Sequence, residues 1–99
     1  MARIRLKSIN LDIKDIFGED FVEIEEDSIS LRSLLQELTR KAGTKLNLIQ
    51  NLGVIVNEEY TMLLNGQNLR VQTTGLETKL KVKDGDELNI IKINIFFGG

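Results

Sequence analysis

Lys83-Asp84-Gly85-Asp86-Glu87-Leu88-Asn89-Ile90-Ile91, with Lys92-Ile93-Asn94-Ile95 behind it, is the stretch whose reading decides the fold. Asp84-Gly85 is a tight-turn pair. Leu88 to Ile95 reads as the last strand, and its apolar phase slips at Ile90-Ile91. Leu88 and Ile90 share one face, while Ile91, Ile93 and Ile95 take the other. A strand buried on both sides does this, and so does a bulge. A strand that buries both faces lies inside a sheet, and pairing it parallel with the first strand buries both best. The sequence then closes on Phe96-Phe97-Gly98-Gly99. The chain has no Pro, so Lys92 to Ile95 is free to continue the strand.

Outward from there, Tyr60-Thr61-Met62-Leu63-Leu64 is apolar on both faces and reads as a largely buried strand. Asn65-Gly66 is a turn signal, and Leu69-Arg70-Val71 suits a short edge strand. Gly75-Leu76-Glu77-Thr78-Lys79-Leu80 reads as one helical turn or a compact loop, and Lys81-Val82-Lys83 leads into Asp84-Gly85. Thr44 to Asn57 is read as a short helical segment on Leu46, Ile49 and Leu52, broken at Gly53, then irregular or strand-like chain at Val54-Ile55-Val56.

The main helix is Ser30 to Gly43. Leu31, Leu34, Leu35, Leu38 and Ala42 fall on one helical face, Ser30 suits the N-cap, and Gly43 suits the residue after the last turn. Arg40 and Lys41 sit where the helix dipole favours cations. Before it, Phe21-Val22-Glu23-Ile24-Glu25 alternates, with Val22 and Ile24 inward. Arg3-Ile4-Arg5-Leu6-Lys7 alternates too, with Ile4 and Leu6 inward. Opposite charge predicts Glu23 and Glu25 facing Arg5 and Lys7 across an antiparallel pair. Between those strands, Ile13, Ile16 and Phe17 lie among charges that end in the turn signal Gly18-Glu19-Asp20. Two strands, a helix and further strands predict an α+β fold with a mixed sheet of about four to five strands and the helix packed across it.

Ninety-nine residues suit one domain with a modest core. The formal net charge of −2 and pI near 5.1 supply no basic footprint for nucleic acid. Aromatics are 5% of residues, too few for a base-stacking surface. No apolar run approaches the roughly 20 residues of a membrane span, and Met1-Ala2-Arg3-Ile4-Arg5 has no apolar stretch behind its charges. No leader is expected, and the expected location is cytoplasmic. The chain has neither Cys nor His. That removes a thiol nucleophile, a thiolate metal site and an imidazole base together, and no acidic spacing suits a calcium loop. No metal site and no enzyme active site are expected. The one reactive group the chain presents well is its own α-carboxylate. Gly98 and Gly99, without Cβ atoms, can lie extended in a narrow slot and leave that carboxylate open to attack. A frayed, inert end is the alternative.

Leu63-Leu64-Asn65-Gly66, Gly75 to Leu80, Lys83-Asp84-Gly85-Asp86-Glu87-Leu88 and Gly98-Gly99, in that order, resemble the ubiquitin-like β-grasp sulfur carriers. The resemblance is to the small subunit of molybdopterin synthase (MoaD) and to MoaD-like archaeal small modifiers. The helix start Ser30-Leu31-Arg32-Ser33-Leu34-Leu35 sits where that family has its own. The resemblance implies a β-grasp domain over 1–97 with a flexible diglycine tail at 98–99. It implies a carrier rather than a catalyst, with no bound cofactor. ATP would be consumed by a separate activating enzyme that adenylates Gly99, and sulfur would replace the AMP. The resulting thiocarboxylate would serve molybdopterin synthesis, with the synthase large subunit as partner, or tRNA thiolation. The alternatives are conjugation through Gly99 to lysines of target proteins, and a β-grasp interaction module that is never conjugated. Phe96 and Phe97 are the candidate hydrophobic anchor for the activating enzyme or a partner groove. The other reading folds one of them, Phe97 first, onto the body.

Overall fold

The computed structural model of the chain describes residues 1–46, 48–50, 55–56, 60–68 and 80–93. In chain order these hold β1 (Ala2–Lys7), α1 (Ile13–Phe17), β2 (Phe21–Ile24), β3 (Ser28–Ser30), α2 (Leu31–Ala42), β4 (Ile49–Gln50), β5 (Ile55–Val56), β6 (Tyr60–Leu64), β7 (Gln67–Asn68), β8 (Lys81–Lys83) and β9 (Glu87–Lys92). The main sheet has five strands in the order β2-β1-β9-β6-β7. β9 runs parallel to β1 and antiparallel to β6, so the sheet is mixed and the last strand lies at its centre, as its residues predict.

Helix α2 forms where its apolar stripe and its ends agree. Ser30 Oγ accepts the Ser33 N–H at 3.1 Å, and Gly43, at φ 63°, donates its N–H to the Thr39 carbonyl. Leu31, Leu34, Leu35 and Leu38 are fully buried, and Ala42 nearly so. They join the inward residues of four strands in one core: Ala2, Ile4 and Leu6; Val22 and Ile24; Tyr60, Met62 and Leu64; Leu88 and Ile90. Each such leucine contributes about 1.5–3 kcal/mol on burial.

The phase slip in β9 is no bulge. The register with β6 runs unbroken from Tyr60↔Lys92 to Leu64↔Leu88. The second face is open rather than buried: Ile91 is half-buried and Ile93 is 37% exposed. The strand ends at Lys92 with Ile93 outside it, and Asn94 and Ile95 of the expected strand lie outside the described residues.

The register of β1 with β2 differs from the one that charge predicts. Glu23 faces Arg3, and Arg5 faces Phe21. Arg5 meets Phe21 where the expected antiparallel pairing put Glu25, an offset of four residues that keeps every side chain on its expected face. Main-chain bonding sets it. Leu6 donates its N–H to Asp20 O at 2.8 Å, at the end of a connection fixed by α1. Asp12 caps that short helix by accepting the Asp15 N–H, and Gly18 closes it at φ 86°. Arg5 then pairs with Glu87 on its other side at 3.8 Å, and Arg3 pairs with Glu23 at 3.2 Å.

Residues 44–50 are not helical where they are described. Leu46 and Leu48 are both buried, a spacing of two, and β4 pairs antiparallel with β5. The spacing of Leu46 and Ile49 imitates a helix, but the main chain has already left the helical course at Gly43. The strand-like reading at Ile55-Val56 agrees with β5. β3 has no counterpart in the expectations, and it pairs with β8 rather than with the main sheet. The edge strand expected at Leu69-Arg70-Val71, the turn or loop from Gly75 through Lys79, and Gly53 all lie outside the described residues.

Two predictions follow from the core and the helix surface. Leu35→Ala should cost about 2–5 kcal/mol of unfolding free energy in urea titration. Glu37 accepts hydrogen bonds from the Arg40 guanidinium, which holds its carboxyl below the ordinary value of 4.5. Because the folded value is the lower one, this contribution is present above the unfolded value and is lost as pH falls through the folded one. The stability gap between the parent and Glu37→Gln should therefore be widest near neutral pH and close on acidification.

Candidate functional site

The residues expected to carry function, Phe96, Phe97, Gly98 and Gly99, lie outside the described residues. What the structure describes is the mounting of the strand that leads to them. Both ends of β9 are held by side chains.

At its start, Asp84 Oδ1 accepts the Arg3 N–H at 2.7 Å, and Gly85, at φ 86°, donates its N–H to Arg3 O at 3.0 Å. Arg5 N–H then reaches Asp86 O at 2.9 Å. The turn thus extends the parallel pairing with β1 before β9 begins. Asp86 is only 7% exposed. Its Oδ2 accepts the Lys83 N–H at 2.9 Å, and its Oδ1 accepts Asn65 Nδ2 at 3.0 Å. Asn65 stands in the left-handed region at φ 51°, a position Asn tolerates in a two-residue hairpin. Its Oδ1 accepts the Glu87 N–H at 2.9 Å, and its own N–H donates to Glu87 O at 2.9 Å. The Asn65-Gly66 and Asp84-Gly85-Asp86 turns are one polar knot. The D-G-D-E-L string is thereby accounted for as structure, independent of any partner.

At the far end β1 stops at Lys7 and β9 continues to Lys92. The Asn10 side chain covers the difference. Its Oδ1 accepts the Lys92 N–H at 3.1 Å, and its Nδ2 donates to Lys92 O at 2.5 Å. An amide side chain here repeats what a further strand residue would offer. Asn10 is itself set by Ser8, whose Oγ accepts the N–H groups of Asn10 and Leu11 at 3.3 and 3.0 Å. Sequence reading treats Asn65 only as a turn residue and passes over Asn10. A Ser-x-Asn turn directly after an alternating strand is the signal that marks the latter.

Among the described residues no group of three or more acidic side chains is placed to hold a metal, and no helix is long and apolar enough to cross a membrane. The shifted carboxyl, Glu37, belongs to an ion pair on the surface of α2.

The arrangement is the ubiquitin-like β-grasp fold. No family model matches the sequence, and no curated protein matches it. Solved structures do. Small archaeal modifier protein 1 from Methanosarcina acetivorans matches at 24% identity over 100% of this chain and 98% of its own, with a TM-score of 0.55. Urm1 from Trypanosoma brucei matches at 19% identity over 98% and 95%, with a TM-score of 0.61. A provisionally assigned molybdopterin converting factor, subunit 1, from Pyrococcus furiosus matches at 15% identity over 95% and 100%, again with a TM-score of 0.61. The fold expected from the C-terminal third is therefore the fold observed.

The two clamps make separable predictions. Asp86→Ala strands the Asn65 amide and the Lys83 N–H, and should cost about 1–3 kcal/mol of global stability in urea titration. Asn10→Ala should leave the core intact and raise exchange of the Lys92 amide about tenfold in hydrogen-exchange NMR.

Proposed function

We propose that the chain is a ubiquitin-like sulfur carrier whose reactive group is the Gly99 carboxylate. A carboxylate is a poor electrophile until one oxygen becomes a leaving group. A separate activating enzyme would let a Gly99 oxygen attack the α-phosphorus of ATP, forming an acyl adenylate and releasing pyrophosphate. A sulfide-level donor would then attack the carbonyl carbon and expel AMP, leaving a thiocarboxylate. The chain acts as carrier rather than catalyst. Gly98 and Gly99 would thread the enclosed nucleotide site, and Phe96 and Phe97 would anchor the tail on the partner. The molybdopterin synthase large subunit is the partner proposed for one sulfur acceptor, and the activating enzyme for loading, with the cytoplasm as the compartment.

One observation carries this reading. The fold matches small modifier and converting-factor structures end to end, and in this chain its central strand, β9, is the one that leads in sequence to the Gly pair. A second reading rests on the same tail. The Methanosarcina match is named a modifier, which supports transfer of the activated Gly99 to lysines of other proteins.

Alkylation of protein recovered from its native cell, followed by C-terminal peptide mass spectrometry, tests the first reading. With no Cys in the chain, a fast-alkylating sulfur on Gly99 marks the thiocarboxylate. Lysine adducts ending in Gly99 mark the modifier instead. Deleting Gly98 and Gly99 should abolish ATP-dependent activation in native extract and leave the circular dichroism spectrum unchanged. Activation that survives the deletion rules out both readings.

A further inference from the structure

Among the described residues the outer edge of β2 has no strand partner, and a groove lies beside its Glu23–Ile24 end. β2 is terminal in the main sheet. The Leu6 N–H to Asp20 O bond makes that pair a hydrogen-bonded rung of the β1–β2 ladder. Rungs alternate along an antiparallel ladder, so Ile4–Val22 and Ala2–Ile24 are bonded as well. Phe21 and Glu23 therefore direct their N–H and C=O groups away from β1. The partner strands agree: Arg3 and Arg5, which face them, turn their main-chain groups to the 84–86 turn. No described residue pairs with the outward groups of β2.

Beside this edge lies a groove of about 340 Å³ between β2 and α2. Ile24 and Ile29 supply its apolar lining, Ser33 and Glu37 its helix wall, and Glu23, Glu25 and Glu26 its remaining rim. Glu23 is held by Arg3 and Glu37 by Arg40, while Glu25 and Glu26 have no ion pair among the described residues. A second copy added at this edge would set carboxylates against carboxylates, which opposes self-pairing.

We propose that this edge takes an extended segment of a partner protein in which basic and apolar residues alternate. The added strand would bond the outward groups of Phe21 and Glu23. Its side chains would alternate between the two faces. Those on the face of Glu23 and Glu25 are Lys or Arg, and those between them turn toward Ile24 and Ile29. The strand edge supplies the docking geometry, and the charge selects the partner. The site is independent of the C-terminal chemistry, so its failure leaves the carrier reading untouched.

The test is a titration of the isotope-labelled full chain with a capped seven-residue Lys/Val alternating peptide, using the Glu/Val peptide of the same length as control. The Lys/Val peptide should shift amides from 21 to 29 and at Ser33 and Glu37, and slow exchange of the Phe21 and Glu23 amides. The Glu/Val peptide should do neither. Glu23→Lys with Glu25→Lys should weaken the Lys/Val peptide about tenfold and admit the Glu/Val peptide. N-methylation of the peptide at alternate residues should abolish binding in one phase and spare it in the other. Shifts centred on Lys7 and Ile91, equal binding of both peptides, no shifts at millimolar peptide, or self-association of the chain through β2 would each overturn the proposal.

Discussion

A strand at the centre of a sheet needs main-chain partners on both edges along its whole length. β9 outruns one neighbour at each end, and the rest of the structure depends on how that shortfall is met. On one side β1 ends at Lys7, opposite Asn89, while β9 goes on to Lys92. On the other, β6 turns away at Asn65 just as β9 begins at Glu87. Two asparagine side chains complete the ladders, one reaching Lys92 and the other Glu87. With the centre fixed, Leu88 and Ile90 have one place to point, and α2 lays its leucines over them.

The chemistry of the molecule is correspondingly spare. The folded body supplies strands, turns and a core, and its ion pairs lie at the surface, where each is worth little. Arg3–Glu23 and Arg5–Glu87 line the open face of the sheet without determining the register there.

Residues with strong periodicity made the main elements legible. Four leucines and one alanine on one helical face specify α2, and alternation specifies β1 and β2. The parallel placement of the last strand followed from its apolar residues on both faces, although one of those faces is open. Register was less legible, because cross-strand charge is a weak term beside a main-chain bond such as Leu6–Asp20. Leu46 and Ile49 misled because a spacing of three fits a helix, while the deciding residue, Gly43, acts through its backbone angle. Asn10 was illegible for a different reason. Its partner Lys92 stands 82 positions away, and no local pattern records such a contact. The tail residues 96–99 lie outside the described residues, so their role rests on the sequence.

The parallel course of β1 and β9 also has a mechanical meaning. Tension applied between the start of β1 and the exit of β9 pulls two neighbouring parallel strands past each other. The rungs Arg5↔Glu87, Leu6↔Leu88 and Lys7↔Asn89 are then strained together in shear, instead of opening one at a time like a zip. The Asn10 amide, at the pulled end, takes the strain first. A chain held at those two points would yield only when the three rungs give way together, a stiffer response than a ladder that opens rung by rung.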